Sequence, residues 1–317
     1  MLTGMSTSTV LCMDAGQSGI RTQVRMGERI LAEFETGGVL TDRPLNPQLA
    51  RAATEALQAS AAGAQGVPHA AAIGTTGLND QADVAGLLDL LAPLGITEVF
   101  LAHDSITSYL GALGDEPGVV VAAGTGVVTL AVGEQRVQRV DGWGYLIGDA
   151  GSGFWIGRAG LDAVMRAHDG RGPATALTEV AHDEFGDLEQ AYLVLQADPL
   201  RVSRIARYAR VVAELATDDP VCRRICQDAA AELAHSVITG LQAVGQDGRS
   251  DPAVAMIGKA FHGEMMRATF EALILERFAD ARLSRGEGNG LGGAFRLTRV
   301  DAGSALTQRI RYAGTTG

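Results

Sequence analysis

The chain has 317 residues, with 26 Lys and Arg against 37 Asp and Glu, a formal charge of −11, 46% hydrophobic residues, 41 glycines and three cysteines. At roughly 100–200 residues per domain this suffices for about two packed domains and excludes a disordered, collagenous or disulfide-framed chain. The acidic balance, with no basic run interleaved with aromatics, argues against nucleic acid, and the longest uncharged run, 118–133, is shorter than the roughly 20 residues of a membrane span.

In chain order, MLTGMSTST reads as a ragged leader, with Met5 as an alternative start. It has no positive region followed by an apolar stretch and cleavage site, and Cys12, Cys222 and Cys226 cannot form a full set of disulfides, so a reduced cytoplasmic protein is expected. The segment VLCMDAGQSGIRTQVRMGERILAEFETG predicts a β-turn-β-turn-β meander. Leu49, Ala53 and Leu57, with Pro47 at the start, predict a helix over 46–64. HAAAIGTTG predicts a buried strand ending in a turn, VAGLLDLLAPLG a helix, EVFLAHD a strand ending on an acid, and a further helix follows.

The order then begins again in GVVVAAGTGVVTLAVGEQRVQRVDG, an internal repeat of strand, Gly/Thr turn, strand, tight turn and strand. Helices are expected over 187–196, 201–217 and 221–243, then a buried strand AVAMI up to Gly258, a helix over 263–278 and a weak strand at ARLSR. Two copies of one mixed β/α unit, the second enlarged by helices, imply a cleft between them and a hinge near Pro117, with ligands at the carboxyl ends of the strands.

Two turns carry candidate chemistry. Asp14-Ala15-Gly16-Gln17-Ser18-Gly19 sets a carboxylate after a buried strand and then small residues that let backbone N–H groups approach a ligand. Such a turn can cradle phosphate while Asp14 holds Mg²⁺ through water, and taken alone it reads more readily as a hairpin with a capping Asp. Ala123-Gly124-Thr125-Gly126 occupies the equivalent place in the repeat, and two such turns favour a nucleotide over plain hairpins. No GxxxxGK[ST] and no clean GxGxxG between strand and helix is present, which disfavours a P-loop or Rossmann enzyme.

The stretch 142–157, GWGYLIGDAGSGFWIG, holds both tryptophans among six glycines, a composition costly in backbone entropy unless the loop fits closely around something. With the two turns it resembles the BadF/BadG/BcrA/BcrD-type ATPases and N-acetylglucosamine kinases of the actin-like sugar-kinase superfamily. The resemblance implies an α/β fold of two duplicated ribonuclease-H-like (actin-like ATPase) domains around a central cleft. Residues 1–116, rejoined by 296–317, would form the first, and 117–295 with a helical insertion the second. It implies ATP and Mg²⁺ as cofactors, a small sugar as substrate and a homodimer as the assembly. Carried over by position, Asp14, Gly16, Gln17 and Ser18 form the first phosphate motif, Asp14 holding the metal, and Gly124, Thr125 and Gly126 form the second. Gly258 and Lys259 in MIGKAF, with Gly292-Gly293-Ala294, resemble the adenosine motifs. Asp104 matches the acid that deprotonates the sugar hydroxyl, Asp149 a carboxylate that hydrogen-bonds the sugar, and Trp143, Gly144 and Ser152 lie in the same substrate stretch.

From the residues alone Asp104 also fits an N-cap on a helix starting at Ser105. Thr75, Thr76 and Asn79 are further candidates for sugar contacts, or simply turn residues ending a strand. The chain departs from the family pattern at Ala150, where Glu is usual, at His103, where Asn is usual, and at Thr41-Asp42-Arg43 in place of an Asn-His pair. Asp42 could favour an amine such as glucosamine by charge pairing.

The six histidines show no metal-ligand spacing, and no GxSxG elbow is present. Arg201, Arg204, Arg207 and Arg210 form a basic stripe, expected as a solvated or salt-bridged face or a dimer contact. Two rivals to the kinase remain. One is an ATP-driven activator of a radical dehydratase, which needs thiolates for an iron–sulfur cluster, and the other is a non-catalytic sugar or nucleotide sensor.

Overall fold

The apolar run TVLCMDA makes β1 (Thr9–Ala15) a buried strand at the centre of the first sheet. The computed structural model describes residues 8–17, 19–40, 42–59, 67–79, 81–286 and 290–315, which form two compact units. One holds the described residues of Met1–Glu116, Glu134–Arg136 and Gly288–Gly317, and the other those of Pro117–Gly133 and Val137–Glu287.

In the first unit β1 pairs antiparallel with β2 (Ile20–Met26), and β2 with β3 (Arg29–Thr36), which is the meander read from the sequence. Helix α1 (Leu45–Ala59) buries Leu49, Ala52, Ala53 and Ala56, the one-face spacing of a surface helix. The expected extension over 60–64 lies outside the described residues. Strand β4 (Ala70–Thr75) is buried throughout and runs parallel to β1. Helix α2 (Val84–Leu91) starts on Asp83, whose carboxylate accepts the Gly86 N–H. Strand β5 (Glu98–His103) lies parallel to β4, and α3 (Asp104–Leu113) leaves its carboxyl end. Leu11, Met13, Ile73, Leu87 and Leu101 form the core on which these elements rest.

The second unit begins with β6 (Gly118–Ala123), β7 (Val127–Val132) and β8 (Val137–Val140), again an antiparallel meander. The sequence reading takes 142–157 as a Gly-rich loop, whereas from residue 153 the chain is helix α4 (Gly153–His168). Its glycines serve packing: a Cβ on Gly157 would lie 2.0 Å from the Ile205 carbonyl oxygen. Then come α5 (Leu177–Phe185), α6 (Ala191–Ala197), α7 (Arg201–Leu215) and α8 (Pro220–Ala243). The helix expected over 187–196 is a short 3-10 turn, Leu188–Gln190, followed by α6. Asp219 accepts the N–H groups of Val221 and Cys222, and Pro220 occupies the first turn, so α8 is started by its own sequence. Strand β9 (Ala253–Ile257) runs parallel to β6, and α9 (Glu264–Arg277) leads to β10 (Arg282–Gly286), parallel to β9. Val119, Val121, Leu233, Val254 and Phe270 lie in this unit's core.

The chain returns to the first unit with α10 (Gly290–Leu297) and β11 (Ile310–Gly314), which pairs antiparallel with β5. The return is therefore earlier than residue 296 and ends in a strand. The sheet orders are β11-β5-β4-β1-β2-β3 and β10-β9-β6-β7-β8. With β11 set aside the two orders are the same, so the repeat in the sequence is a repeat of topology.

Candidate active site

The first turn follows from the register of β1 and β2, which sets Asp14 opposite Arg21 and brings the Arg21 guanidinium 2.5 Å from the Asp14 carboxylate. Gly16 donates its N–H to Gly19 O at 3.0 Å, and its carbonyl accepts the N–H of Val39 at 2.9 Å. A Cβ on Gly38 would come within 2.0 Å of the Gln17 carbonyl oxygen, so residues 38 and 39 buttress the turn from beneath. Above it there is room, for a Cβ on Gly16 meets nothing closer than 3.6 Å. Gln17 is exposed, and Ser18 lies outside the described residues. Two residues missed in the sequence complete this corner: Arg21, and Gly290, where a Cβ would lie 2.6 Å from the Asp14 carboxyl carbon. Only a glycine there lets the start of α10 approach the carboxylate, whose negative charge suits a helix N-terminus.

Asp104 is the first residue of α3, and the cap is the residue before it. His103, extended at φ −65° and ψ 146°, accepts the Ser105 N–H on Nδ1 at 3.2 Å. This sets aside the alternative of an Asp104 cap on a helix starting at Ser105, and it leaves the Asp104 carboxylate clear of capping. That carboxylate lies 2.9 Å from His103 Nδ1 and is about one-third exposed. Glycines on both sides seat α3. A Cβ on Gly74 of β4 would lie 2.2 Å from Thr107 Oγ1, and one on Gly293 of α10 would lie 1.7 Å from the Thr107 carbonyl oxygen. Thr75 pairs in register with His103 across β4 and β5. The ends of both strands, with Thr76 half-buried and Asn79 exposed beyond β4, thus share one edge of the sheet.

In the second unit, Gly124 donates to Gly126 O at 2.8 Å, while Gly153 and Phe154, at the start of α4, donate to the carbonyls of Gly124 and Thr125 at 2.8 and 3.0 Å. The turn is held from α4, Thr125 is exposed, and a Cβ on Gly124 would meet nothing within 4 Å. Asp149 is 7% exposed and sits at φ 58°, with Oδ1 accepting the Gly144 N–H at 3.1 Å. A Cβ on Gly126 would lie 2.6 Å from its Oδ2, so the carboxylate lies against the turn. Burial pushes the Asp149 pKa up, main-chain hydrogen bonds from Gly144 and Val127 act against it, and the charge of Asp141 adds to the rise. Asp141, also missed in the sequence, accepts the N–H groups of Asp149 and Ala150 at 2.8 and 2.9 Å. Gly258, at φ 101°, presses on the end of β6, where a Cβ would lie 2.3 Å from the Ala123 carbonyl oxygen. It therefore stands beside the turn, and Lys259 after it is exposed.

Other expected residues are placed differently. Ser152 is fully buried and its Oγ accepts the Trp155 N–H, so it is the N-cap of α4 rather than a surface for substrate. Gly293 is a packing glycine under α3 and belongs with Gly292 to the first unit, whereas Gly258 and Lys259 belong to the second. Trp143 and Gly144 are exposed on the loop before α4, with the Arg139 guanidinium over the Trp143 ring at 4.2 Å. Asp42 is exposed and Thr41 lies outside the described residues. Arg204 of the basic stripe bridges Glu184 and Asp198 at 2.6 and 3.3 Å, a salt-bridged face.

The donor set at the first turn fits magnesium. One hard carboxylate, Asp14, stands beside a half-exposed guanidinium and an open glycine cradle, and Mg²⁺ ordinarily takes one or two carboxylates together with waters and phosphate oxygens. Among the described residues no group of three or more His, Cys, Asp or Glu could form a metal cage by itself. All three cysteines are buried, with burial pushing the thiols of Cys12 and Cys222 up to about 12 and that of Cys226 to about 11.

The model of the BadF/BadG/BcrA/BcrD ATPase family matches residues 6–288. An N-acetylmuramic acid/N-acetylglucosamine kinase of Clostridium acetobutylicum is 30% identical over 170 residues, 52% of this chain and 56% of that protein. An N-acetyl-D-glucosamine kinase of Dictyostelium discoideum is 30% identical over 172 residues, 52% of this chain and 54% of that protein. The chain thus spans about half the length of the curated relatives it matches. The crystal structure of a candidate N-acetylglucosamine kinase from Chromobacterium violaceum is similar over 92% of this chain and 99% of that one, with 26% identity and a TM-score of 0.69. No helix among the described residues is long and apolar enough to cross a membrane.

Proposed function

The chain belongs to the BadF/BadG/BcrA/BcrD ATPase family, and we propose that it is a sugar kinase, moving the γ-phosphate of ATP to a hydroxyl of N-acetylglucosamine or glucosamine. The observation that carries this reading is the Asp104 carboxylate, at the carboxyl end of β5, clear of helix capping because His103 performs it. The relatives' names support a sugar as the acceptor.

In this reading Asp104 takes the proton of the accepting hydroxyl as its oxygen forms a bond to the γ-phosphorus, and the bond from that phosphorus to the bridging β-oxygen breaks to release ADP. A positioned base of this kind contributes roughly 10²–10⁴-fold. In the first unit the Gly16 backbone is suited to phosphate oxygens; in the second, the 124–126 turn and the Thr125 hydroxyl are suited to the same group and the Asp149 carboxylate to a sugar hydroxyl. Asp14 would hold magnesium, which would supply neutralisation of the phosphate charge. The matching sheet orders support duplicated actin-like units. A homodimer and a reduced cytoplasmic setting belong to the same proposal, the second supported by three free buried thiols. Those buried thiols give the dehydratase-activator reading no support. Asp42, exposed after β3, supports glucosamine over its N-acetyl derivative.

ADP release from Mg·ATP with a panel of N-acetylglucosamine, glucosamine, N-acetylmannosamine and glucose tests the reading. Release dependent on an amino sugar is expected, and release indifferent to every sugar would overturn it.

A further inference from the structure

Among the described residues, two that are not glycine have positive φ, Asp141 at 57° and Asp149 at 58°, and they are bonded to each other. An L-residue in this region is strained and persists where its surroundings over-determine it. Here the determinant is a fork. Asp141 Oδ1 accepts the Asp149 N–H at 2.8 Å and Oδ2 accepts the Ala150 N–H at 2.9 Å. Successive N–H groups turned to one side form a concavity suited to an anion, and in this chain its own carboxylate fills it. The neighbouring glycine makes room, since a Cβ on Gly148 would lie 2.5 Å from Asp141 Oδ1. Asp149 in turn takes the Gly144 N–H, which closes the 141–150 loop on itself.

We propose that Asp141 is a positioning residue for substrate recognition: its forked grip on residues 149 and 150 fixes the Asp149 carboxylate against the 124–126 turn, and thereby sets the affinity for the sugar without touching it. The proposal rests on the sugar-kinase reading, in which Asp149 receives a sugar hydroxyl. A second consequence follows from charge. Asp149 is faced by the Asp141 carboxylate and by main-chain N–H groups of Gly144 and Val127, so the loss of the Asp141 charge makes Asp149 easier to ionise.

The test uses Asp141→Asn and Asp141→Gly, since Asn and Gly both tolerate left-handed backbone and neither forces the loop to unfold. Sugar binding is read from the fluorescence of Trp143, within the loop, and Trp155, in α4 after it, and turnover from ADP release. In Asp141→Asn the KM for the sugar is expected to rise about tenfold, as the forked grip on the 149 and 150 amides is halved, with the KM for ATP near that of the wild type. The pH dependence of the sugar Kd is expected to move to lower pH, and Asp141→Gly to show the larger loss of affinity. An unchanged sugar KM in both variants, or a rise shared equally by sugar and ATP with an unmoved pH profile, would overturn the proposal. If the wild type turns over no sugar, the kinase reading fails separately. Amide exchange at residues 149 and 150 then decides the grip: faster exchange in Asp141→Gly supports it and unchanged exchange overturns it.

Discussion

His103 Nδ1 accepts the Ser105 N–H at 3.2 Å and lies 2.9 Å from Asp104 Oδ1, so one imidazole both starts α3 and stands against the carboxylate that follows it. The residue offered as the base is thereby relieved of structural work, and the stability of α3 becomes separable from its chemistry.

His103→Ala leaves the Ser105 N–H without its cap and is expected to lower stability by about 0.5–2 kcal/mol. His103→Asn, a good cap without an ionisable ring, should keep the wild-type melting temperature and retain turnover. Differential scanning calorimetry of both variants checks this, and equal losses in the two would show that capping is not the role of this side chain.

Gly293 meets main chain rather than a pliable side chain. A Cβ there would lie 1.7 Å from the Thr107 carbonyl oxygen and 2.9 Å from the Gly111 nitrogen. Gly293→Ala is expected to destabilise the first unit by at least the roughly 1–3 kcal/mol of an overpacked core, and to lower kcat as α3 shifts. Urea unfolding with a midpoint like that of the wild type would contradict this account of the contact between α10 and α3.

Asp149 makes stability depend on pH with a definite sign. Its pKa in the folded chain lies above the ordinary 3.8, so the native state holds the proton more tightly than the unfolded state. Stability from this group is therefore present at low pH and is lost as pH rises through the interval between the ordinary and raised values. Asp149→Asn does not titrate. Its melting temperature should gain on that of the wild type as pH is raised from below that interval to neutrality, and parallel curves would refute the raised pKa.

The buried thiols give a further check. A thiol reagent should label none of the three cysteines rapidly in the native protein and all three in denaturant, because burial disfavours the thiolate at each. Rapid native labelling at Cys222 and Cys226 would return attention to the dehydratase-activator reading.

What was legible in the sequence has local causes. The apolar runs of β1 and β6, their small-residue turns and the meanders that follow are visible because strand, turn and strand are contiguous. Glycine misled where its cause is distant. Gly153 and Gly157 looked like parts of a ligand loop, yet they are helical and are required by the carbonyls of Gly124 and Ile205. Gly293 answers to Thr107 in the same way. Strand β11 could not be read from IRYAG alone, because what makes it a strand is the edge of β5, some 200 residues earlier. The division of labour between His103 and Asp104 depends on one backbone rotation, which composition does not reveal. The grip of Asp141 on the 149–150 amides depends on two positive φ values at aspartates that no glycine signals.

The central claim is that Asp104 is the base of a sugar-dependent phosphoryl transfer. The most direct measurement is the rate of ADP release from Mg·ATP with and without the best amino sugar, for the wild type and Asp104→Asn at equal folded concentration. The account predicts release that requires the sugar and falls by roughly 10²–10⁴-fold in the variant, with ATP binding retained. Sugar-dependent release at the wild-type rate in Asp104→Asn would contradict it.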